Sequence, residues 1–148
     1  MYLLDTNFLS VIGPRRLHAP EEAAVRKWIE DSSNRLFLSV ISISEVELGI
    51  AKAARLGASK KAGDLANWLN SIVHLYASRI LTLDLHTARL TGRLLDKAHG
   101  TGGDPGYEDA AIAATAMTQD LTVLTRNTRH FKTMEVPCLN PYEGLPTT

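Results

Sequence analysis

Three acids, Asp5, Glu45 and Asp109, fall where the chain passes from one kind of segment to another. Side chains at such boundaries can converge even when tens of residues separate them. Asp5 closes the apolar run Tyr2-Leu3-Leu4, which reads as a buried strand, and is followed by Thr6 and Asn7. Glu45 opens a helical pattern and Asp109 opens another. Thr125 and Asn127 lie just beyond the strand-like run Leu121 to Leu124, as Thr6 and Asn7 lie beyond the first. Carboxylates and small oxygen-bearing side chains, gathered without thiolate or paired imidazole, are hard ligands that select Mg²⁺ or Mn²⁺. A cation would also account for keeping several carboxylates together, because their repulsion must otherwise be relieved by protonation. Metal held in this way can activate a water and stabilise the charge that builds on a phosphodiester during in-line attack.

Each helix acid also has a plainer role, since the positive end of a helix dipole favours a carboxylate. If Ser44 caps the helix, Glu47 completes a capping box and Glu45 is left with no local duty. If Ser42 caps it, Glu45 becomes the box partner, and both frames remain open. Glu108 rivals Asp109, but neighbours near a helix start diverge by about 100°, so at most one would normally face a shared site. Asp84 suits an N-cap and Asp104 a turn in the glycine-rich stretch Gly100 to Gly106. An aspartyl phosphotransferase of the DxD kind would need a second Asp at position 7, which is Asn7.

The elements that must position these groups alternate along the chain. Strands are expected at Tyr2 to Asp5, Leu36 to Val40, Ile80 to Asp84, Leu121 to Thr125 and Val136 to Leu139. Pro20, Glu21 and Glu22 form the first turn of a helix through Trp28 and Ile29, and a second helix starts near Ser44. Leu65, Leu69, Ile72, Val73 and Tyr76 recur at helical spacing, as do Ala88, Thr91, Leu94, Leu95 and Ala98. Ala110 to Met117 is apolar nearly all round, the pattern of a helix pressed against a sheet. Strands separated by helices imply a parallel sheet with helices on both faces, and such sheets place ligands at the carboxyl ends of their strands.

The bulk properties bound the answer. A chain of 148 residues fits one domain, 1–148, without staples. Sixteen Lys plus Arg balance sixteen Asp plus Glu, so no global field captures a polyanion, and any such partner must be held locally. The single Cys138 excludes an intrachain disulfide, and the five histidines show no zinc spacing. With no secretory pattern and no apolar run of about 20 residues, a cytoplasmic protein without membrane association is expected.

Five segments, in order and spacing, carry a family resemblance: Leu3-Leu4-Asp5-Thr6-Asn7, Ser44-Glu45-Val46-Glu47-Leu48-Gly49, Asp109 to Ala116, Leu124-Thr125-Arg126-Asn127 and Asn140-Pro141. Over essentially its whole length the chain resembles the PIN-domain ribonucleases, in particular the VapC/FitB-like toxins of type II toxin-antitoxin pairs. The resemblance implies a three-layer α/β/α sandwich around a central, mostly parallel sheet of four to five strands. It implies a Mg²⁺- or Mn²⁺-dependent endoribonuclease whose catalytic and metal-holding acids are Asp5, Glu45 and Asp109, Glu45 being matched four residues before Gly49. Thr6, Asn7 and Thr125 are expected to orient the carboxylates or the attacking water. Where the family often has a further acid this chain has Asn127, with His130 close by, so Asn127 offers a cation an amide oxygen but no charge. Further implications are a homodimer, a small VapB-like antitoxin whose C-terminal segment blocks the site, and operator DNA bound only through that complex.

The RNA substrate must be held by local cations, because phosphate contacts supply most of the affinity in such complexes. Arg126, Arg129 and His130 are closest in sequence to the acids, with Arg15 and Arg16 and the Lys60-Lys61 pair as further candidates. Trp28 and Trp68 fall in helical patterns and suit core or interface. The alternative to a nuclease is a non-catalytic or weakly active partner acting mainly within a DNA-binding antitoxin complex, for which the missing fourth acid speaks.

Overall fold

Five strands pair in parallel into one sheet: β1 (Tyr2–Leu4), β2 (Leu36–Ser39), β3 (Ile80–Leu81), β4 (Thr122–Leu124) and β5 (Cys138–Leu139). Their order across the sheet is β3-β2-β1-β4-β5. The structure, a computed structural model, describes residues 1–12 and 19–147, so Arg15 and Arg16 lie outside the described residues. Seven helices join the strands among the described residues: α1 (Thr6–Leu9), α2 (Pro20–Asp31), α3 (Val40–Arg55), α4 (Ser59–Tyr76), α5 (Leu85–Gly100), α6 (Tyr107–Thr118) and α7 (Thr128–Thr133).

The central strands are buried on both faces, and each face has its own core. Successive residues of a strand point to opposite sides, so Leu3 and Val123 face one layer while Leu4 and Leu124 face the other. Leu3 and Val123 pack with Leu94 and Ala98 of α5, Ala110, Ala113, Ala114 and Ala116 of α6, and Phe131 of α7. Leu4 and Leu124 pack with Leu36 and Leu38 of β2, Phe8 of α1, Val25 and Ile29 of α2, and Ile72 and Tyr76 of α4. This is the expected three-layer α/β/α sandwich, with a sheet that is parallel throughout. Among the described residues no helix is long and apolar enough to cross a membrane.

Several local expectations hold. Pro20 takes the first position of α2 with Glu21 and Glu22 in its first turn. Asp84 caps α5, its carboxylate accepting from Thr87 N at 2.8 Å. Trp28 packs against the second core, and the Trp68 indole N–H donates to the Ile12 carbonyl. The start of α3 differs. It begins at Val40 directly from β2, and Ser39 is the N-cap, its hydroxyl accepting from Ile41 N at 3.0 Å. Neither capping-box frame therefore exists: Ser44 is exposed in the second turn and donates back to the Ile41 carbonyl at 2.8 Å. The apolar residues Val40, Ile41 and Ile43 continue the strand's composition into the helix, which hides the boundary in the sequence.

From Ala110 through Ala116 every residue of α6 is buried. Such a helix lies close to its neighbours and has no room for larger side chains. Ala113→Leu is expected to lower stability by about 1–3 kcal/mol in urea denaturation. Unchanged stability would show that the α6 layer has spare space.

Candidate active site

The chain builds β1, β2 and β3 outward to one side, then crosses back to add β4 and β5 on the other side of β1. The seam between β1 and β4 is therefore the topological switch point, where the connections leave the sheet in opposite directions and open a crevice at the carboxyl ends. Asp5 follows β1 at this point and Thr125 follows β4. Asp5 N donates to the Leu124 carbonyl at 2.9 Å, so the acid is tied to the neighbouring strand by backbone as well as side chain.

Asp5 is only 5% exposed, and both carboxylate oxygens are held. Oδ1 accepts from Thr6 N at 2.8 Å, which makes Asp5 the N-cap of α1. Oδ2 accepts from the buried Thr125 hydroxyl at 2.7 Å. Thr125 is fixed in turn, because its Oγ1 accepts from Asn127 N at 2.9 Å. Thr6 serves two acids: beyond its N–H on Asp5, its hydroxyl donates to Glu45 Oε1 at 3.1 Å. The same hydroxyl lies 2.9 Å from Oγ of Ser42, which is fully buried. Thr6 and Thr125 hold the carboxylates through these hydrogen bonds, and Ser42 joins them through Thr6. Only its position one helical turn before Glu45 could have marked it.

Glu45 is half-buried in the second turn of α3, not its first, while Glu47 is exposed. The two are separated by which way they face, not by capping. Asp109 is in the first turn of α6, where it was expected, and its Oδ2 meets His130 Nδ1 at 2.9 Å. A carboxylate can only accept, so the Nδ1 proton belongs to the imidazole. Asn127 Nδ2 is 2.8 Å from the same Nδ1. The Asn127 amide therefore faces His130, and His130 positions Asp109. His130 Nδ1 thus donates to Asp109, and the Asn127 amide nitrogen beside it, itself a donor, makes no bond to the acid.

Electrostatics tie the acids together. Burial, above all, raises the pKa of Asp5, and the charge of Asp109 raises it further, against the opposing pull of the Thr125 and Thr6 hydrogen bonds and of His130. Burial likewise raises Glu45, with the charges of Asp5, Glu108 and Asp109 adding to it and the Thr6 hydroxyl opposing. Glu108 is exposed, yet its charge reaches Glu45, so the site feels both acids of the α6 first turn. Among the described residues no group of three or more His, Cys, Asp or Glu side chains stands ready to hold a metal ion. The donor chemistry nonetheless suits a hard cation: acceptor-only oxygens, held by hydroxyls and N–H groups, each raising the cost of ionising the next.

The remaining candidates spread out. Asn7 is exposed, its carbonyl accepting from the Ser10 hydroxyl at 3.0 Å. The Arg126 guanidinium stacks over Tyr142, 4.1 Å from the ring centroid. Arg129 is exposed in α7, one residue before His130. Lys60 and Lys61 are in the first turn of α4, and the ten-residue step along α3 from Glu45 to Arg55 alone carries the chain about 15 Å from Glu45.

Residues 2–136 match the family model described as PIN domain. Over 144 residues the chain is 35% identical to Toxin FitB of Neisseria gonorrhoeae, covering 96% of this chain and 99% of that protein. It is 32% identical over 145 residues to VapC ribonuclease Y4jK of Sinorhizobium fredii, covering 97% and 99%. Among solved structures, FitAcB from Neisseria gonorrhoeae superposes with a TM-score of 0.79 at 33% identity, over 96% of this chain and 99% of that one. FitAB bound to an IR36 DNA fragment gives 0.79 at 32% identity, over 96% of each chain.

The raised acids have a consequence for stability. Asp5 and Glu45 bind protons more tightly folded than unfolded, so they favour folding below their ordinary values of 3.8 and 4.5. That contribution is lost as pH rises through the raised folded values. In EDTA at pH 7, Asp5→Asn is expected to melt at a higher temperature than the unaltered chain, and the gap should narrow as pH falls toward 4.5. Equal melting temperatures across that range would show that Asp5 carries no buried-charge penalty.

Proposed function

Because the chain belongs to the PIN domain family, we propose that it is a Mg²⁺- or Mn²⁺-dependent endoribonuclease and the toxin of a type II toxin-antitoxin pair. The observation that carries this reading is the carboxylate of Asp5, buried at the β1–β4 switch point with both oxygens held and its pKa raised by burial and by Asp109. A buried acid costs several kcal/mol unless something offsets it, and a divalent cation is the partner that offsets three carboxylates at once.

Asp5, Glu45 and Asp109 would hold the ion, Asp5 from its buried place and Glu45 and Asp109 from half-buried ones. When bound, the cation lowers the pKa of a water and stabilises the charge that builds on the phosphodiester in in-line attack. The protein's own groups do the positioning. Thr125 and Thr6 fix the two oxygens of Asp5, and His130 fixes Asp109 through Oδ2. Glu45 takes its hydrogen bond on Oε1. That leaves Oε2 to accept a proton from the attacking water, a role suited to a carboxyl whose pKa is raised from its ordinary value, chiefly by burial.

The relatives supply the biological setting of this proposal. One is called a toxin and another a ribonuclease, and two related structures are FitAB complexes, one of them bound to DNA. By analogy the chain acts in the cytoplasm as a homodimer, is neutralised by a small VapB-like antitoxin, and reaches operator DNA only through that complex. Asn127, an amide where the family often has an acid, favours one cation over two.

The test is cleavage of single-stranded RNA by purified protein in Mn²⁺ and in Mg²⁺. EDTA and each of Asp5→Asn, Glu45→Gln and Asp109→Asn are expected to lower the rate by about 100-fold or more. Equal rates in all arms would overturn the nuclease reading. Absence of cleavage, with an intact antitoxin complex that binds DNA, would favour a non-catalytic partner.

A further inference from the structure

Behind His130 lies a second opening. An open pocket of about 290 Å³ lies between the glycine-rich loop after α5 and α7, and is lined by residues including Thr101, Gly103, Asp104, Arg129, His130 and Thr133. Loop and helix meet tightly at its floor: a Cβ on Gly103 would come within 2.8 Å of the Thr133 side chain, so only glycine lets the loop approach this closely. The His130 residue belongs to both the cavity and the acid cleft, since its Nδ1 is 2.9 Å from Asp109 Oδ2. A ligand in the cavity is therefore one imidazole away from the acids.

The lining has a definite hydrogen-bonding character. Thr101 Oγ1 donates to the Ala98 carbonyl at 2.9 Å, and Thr133 Oγ1 donates to the His130 carbonyl at 2.6 Å. Both hydroxyl protons are spent, so these oxygens can only accept from a ligand. The amides of Gly102 and Gly103 are spent as well, on the carbonyls of His99 and Ala98 at 3.1 and 2.8 Å. Asp104 adds a carboxylate, which accepts only. Arg129 is exposed and forms no ion pair among the described residues, leaving its guanidinium free to bind an anion at the rim. A bare phosphate in the body of the cavity would meet acceptors and a negative charge. A nucleoside instead brings hydroxyl, amine and ring N–H donors, with its phosphate at the edge. The volume lies at the small end of ligand sites, roughly 300–1,000 Å³, which suits one nucleotide of an unpaired strand.

We infer that this cavity is a nucleotide subsite of the RNA-binding cleft. It takes the base and ribose of the nucleotide next to the phosphodiester at the acids, with Arg129 on the flanking phosphate and Asp104 and Thr101 accepting from the base edge or the ribose hydroxyl. The inference rests on the proposed ribonuclease reading, and deepens it by assigning the part of the site that selects sequence.

The test has a binding arm and a cleavage arm. In EDTA, fluorescence polarisation with a labelled single-stranded 2′-O-methyl RNA hexamer measures affinity without turnover. Arg129→Ala should weaken binding about fivefold or more and make the salt slope shallower by about one, whereas Arg93→Ala, an exposed arginine of α5, should leave both unchanged. In Mn²⁺, sequencing the products of a randomised RNA pool should show Asp104→Asn and the cavity-filling Thr101→Trp altering base preference at one fixed position beside the cut. Melting curves confirm that each variant is folded. If the unaltered protein cleaves, while Arg129→Ala binds as Arg93→Ala does and Thr101→Trp keeps the same preference, the subsite is overturned and the nuclease reading stands. If the unaltered protein neither binds nor cleaves RNA, both fall together.

Discussion

The hydrogen bond from the Thr125 hydroxyl to Asp5 Oδ2 spans the seam on which the rest of the site depends. It joins the residues that follow two adjacent parallel strands, at the place where the chain reverses the direction in which it adds to the sheet. Thr125 and Asp5 are both buried, so the pair is fixed by packing on each side as well as by the bond itself. From Asp5 the order spreads outward: Thr6 reaches Glu45 on α3, and Asn127, carried by Thr125, faces the His130 that holds Asp109. Acids from three separate parts of the chain are positioned by hydroxyl and imidazole partners drawn from the segments that follow β1 and β4.

This arrangement costs stability. A core otherwise filled by Leu3, Leu4, Val123 and Leu124 admits a carboxylate with no basic side chain bonded to it, and the charge of a second acid makes its ionisation harder still. Folding alone would be served better by a neutral isostere at position 5. The two apolar layers bear the cost, since sheet and α6 are packed without exposed apolar surface from Ala110 to Ala116. On the proposed reading a divalent cation reverses the balance, turning mutual repulsion among the acids into shared attraction.

Much of this could be read from the sequence, for identifiable reasons. Short apolar runs mark strands that are buried on both faces, and Asp5 is conspicuous because a carboxylate rarely ends such a run without a purpose. Asp84 and Pro20 followed local capping rules that tertiary structure left untouched. The start of α3 was not legible, because Val40, Ile41 and Ile43 satisfy the strand pattern and the helix pattern alike. Capping logic therefore left Glu45 and Glu47 open between two frames, neither of which exists, and it is Glu45 that meets Thr6. The positioning roles of His130 and Ser42 were hidden for a different reason. Each depends on a side chain from another element, Asp109 for one and Thr6 for the other, and no local spacing encodes such a meeting.

The central claim is that a hard cation is what the three acids are assembled to hold. Its most direct test is calorimetric titration of the purified protein with Mn²⁺ in buffers of differing ionisation enthalpy, at pH values from 5 to 8. The account predicts saturable binding that releases protons at the acidic end, with the release fading as pH rises, and no such binding in Asp5→Asn. Binding without proton release at any pH, or no binding at millimolar Mn²⁺, would contradict it.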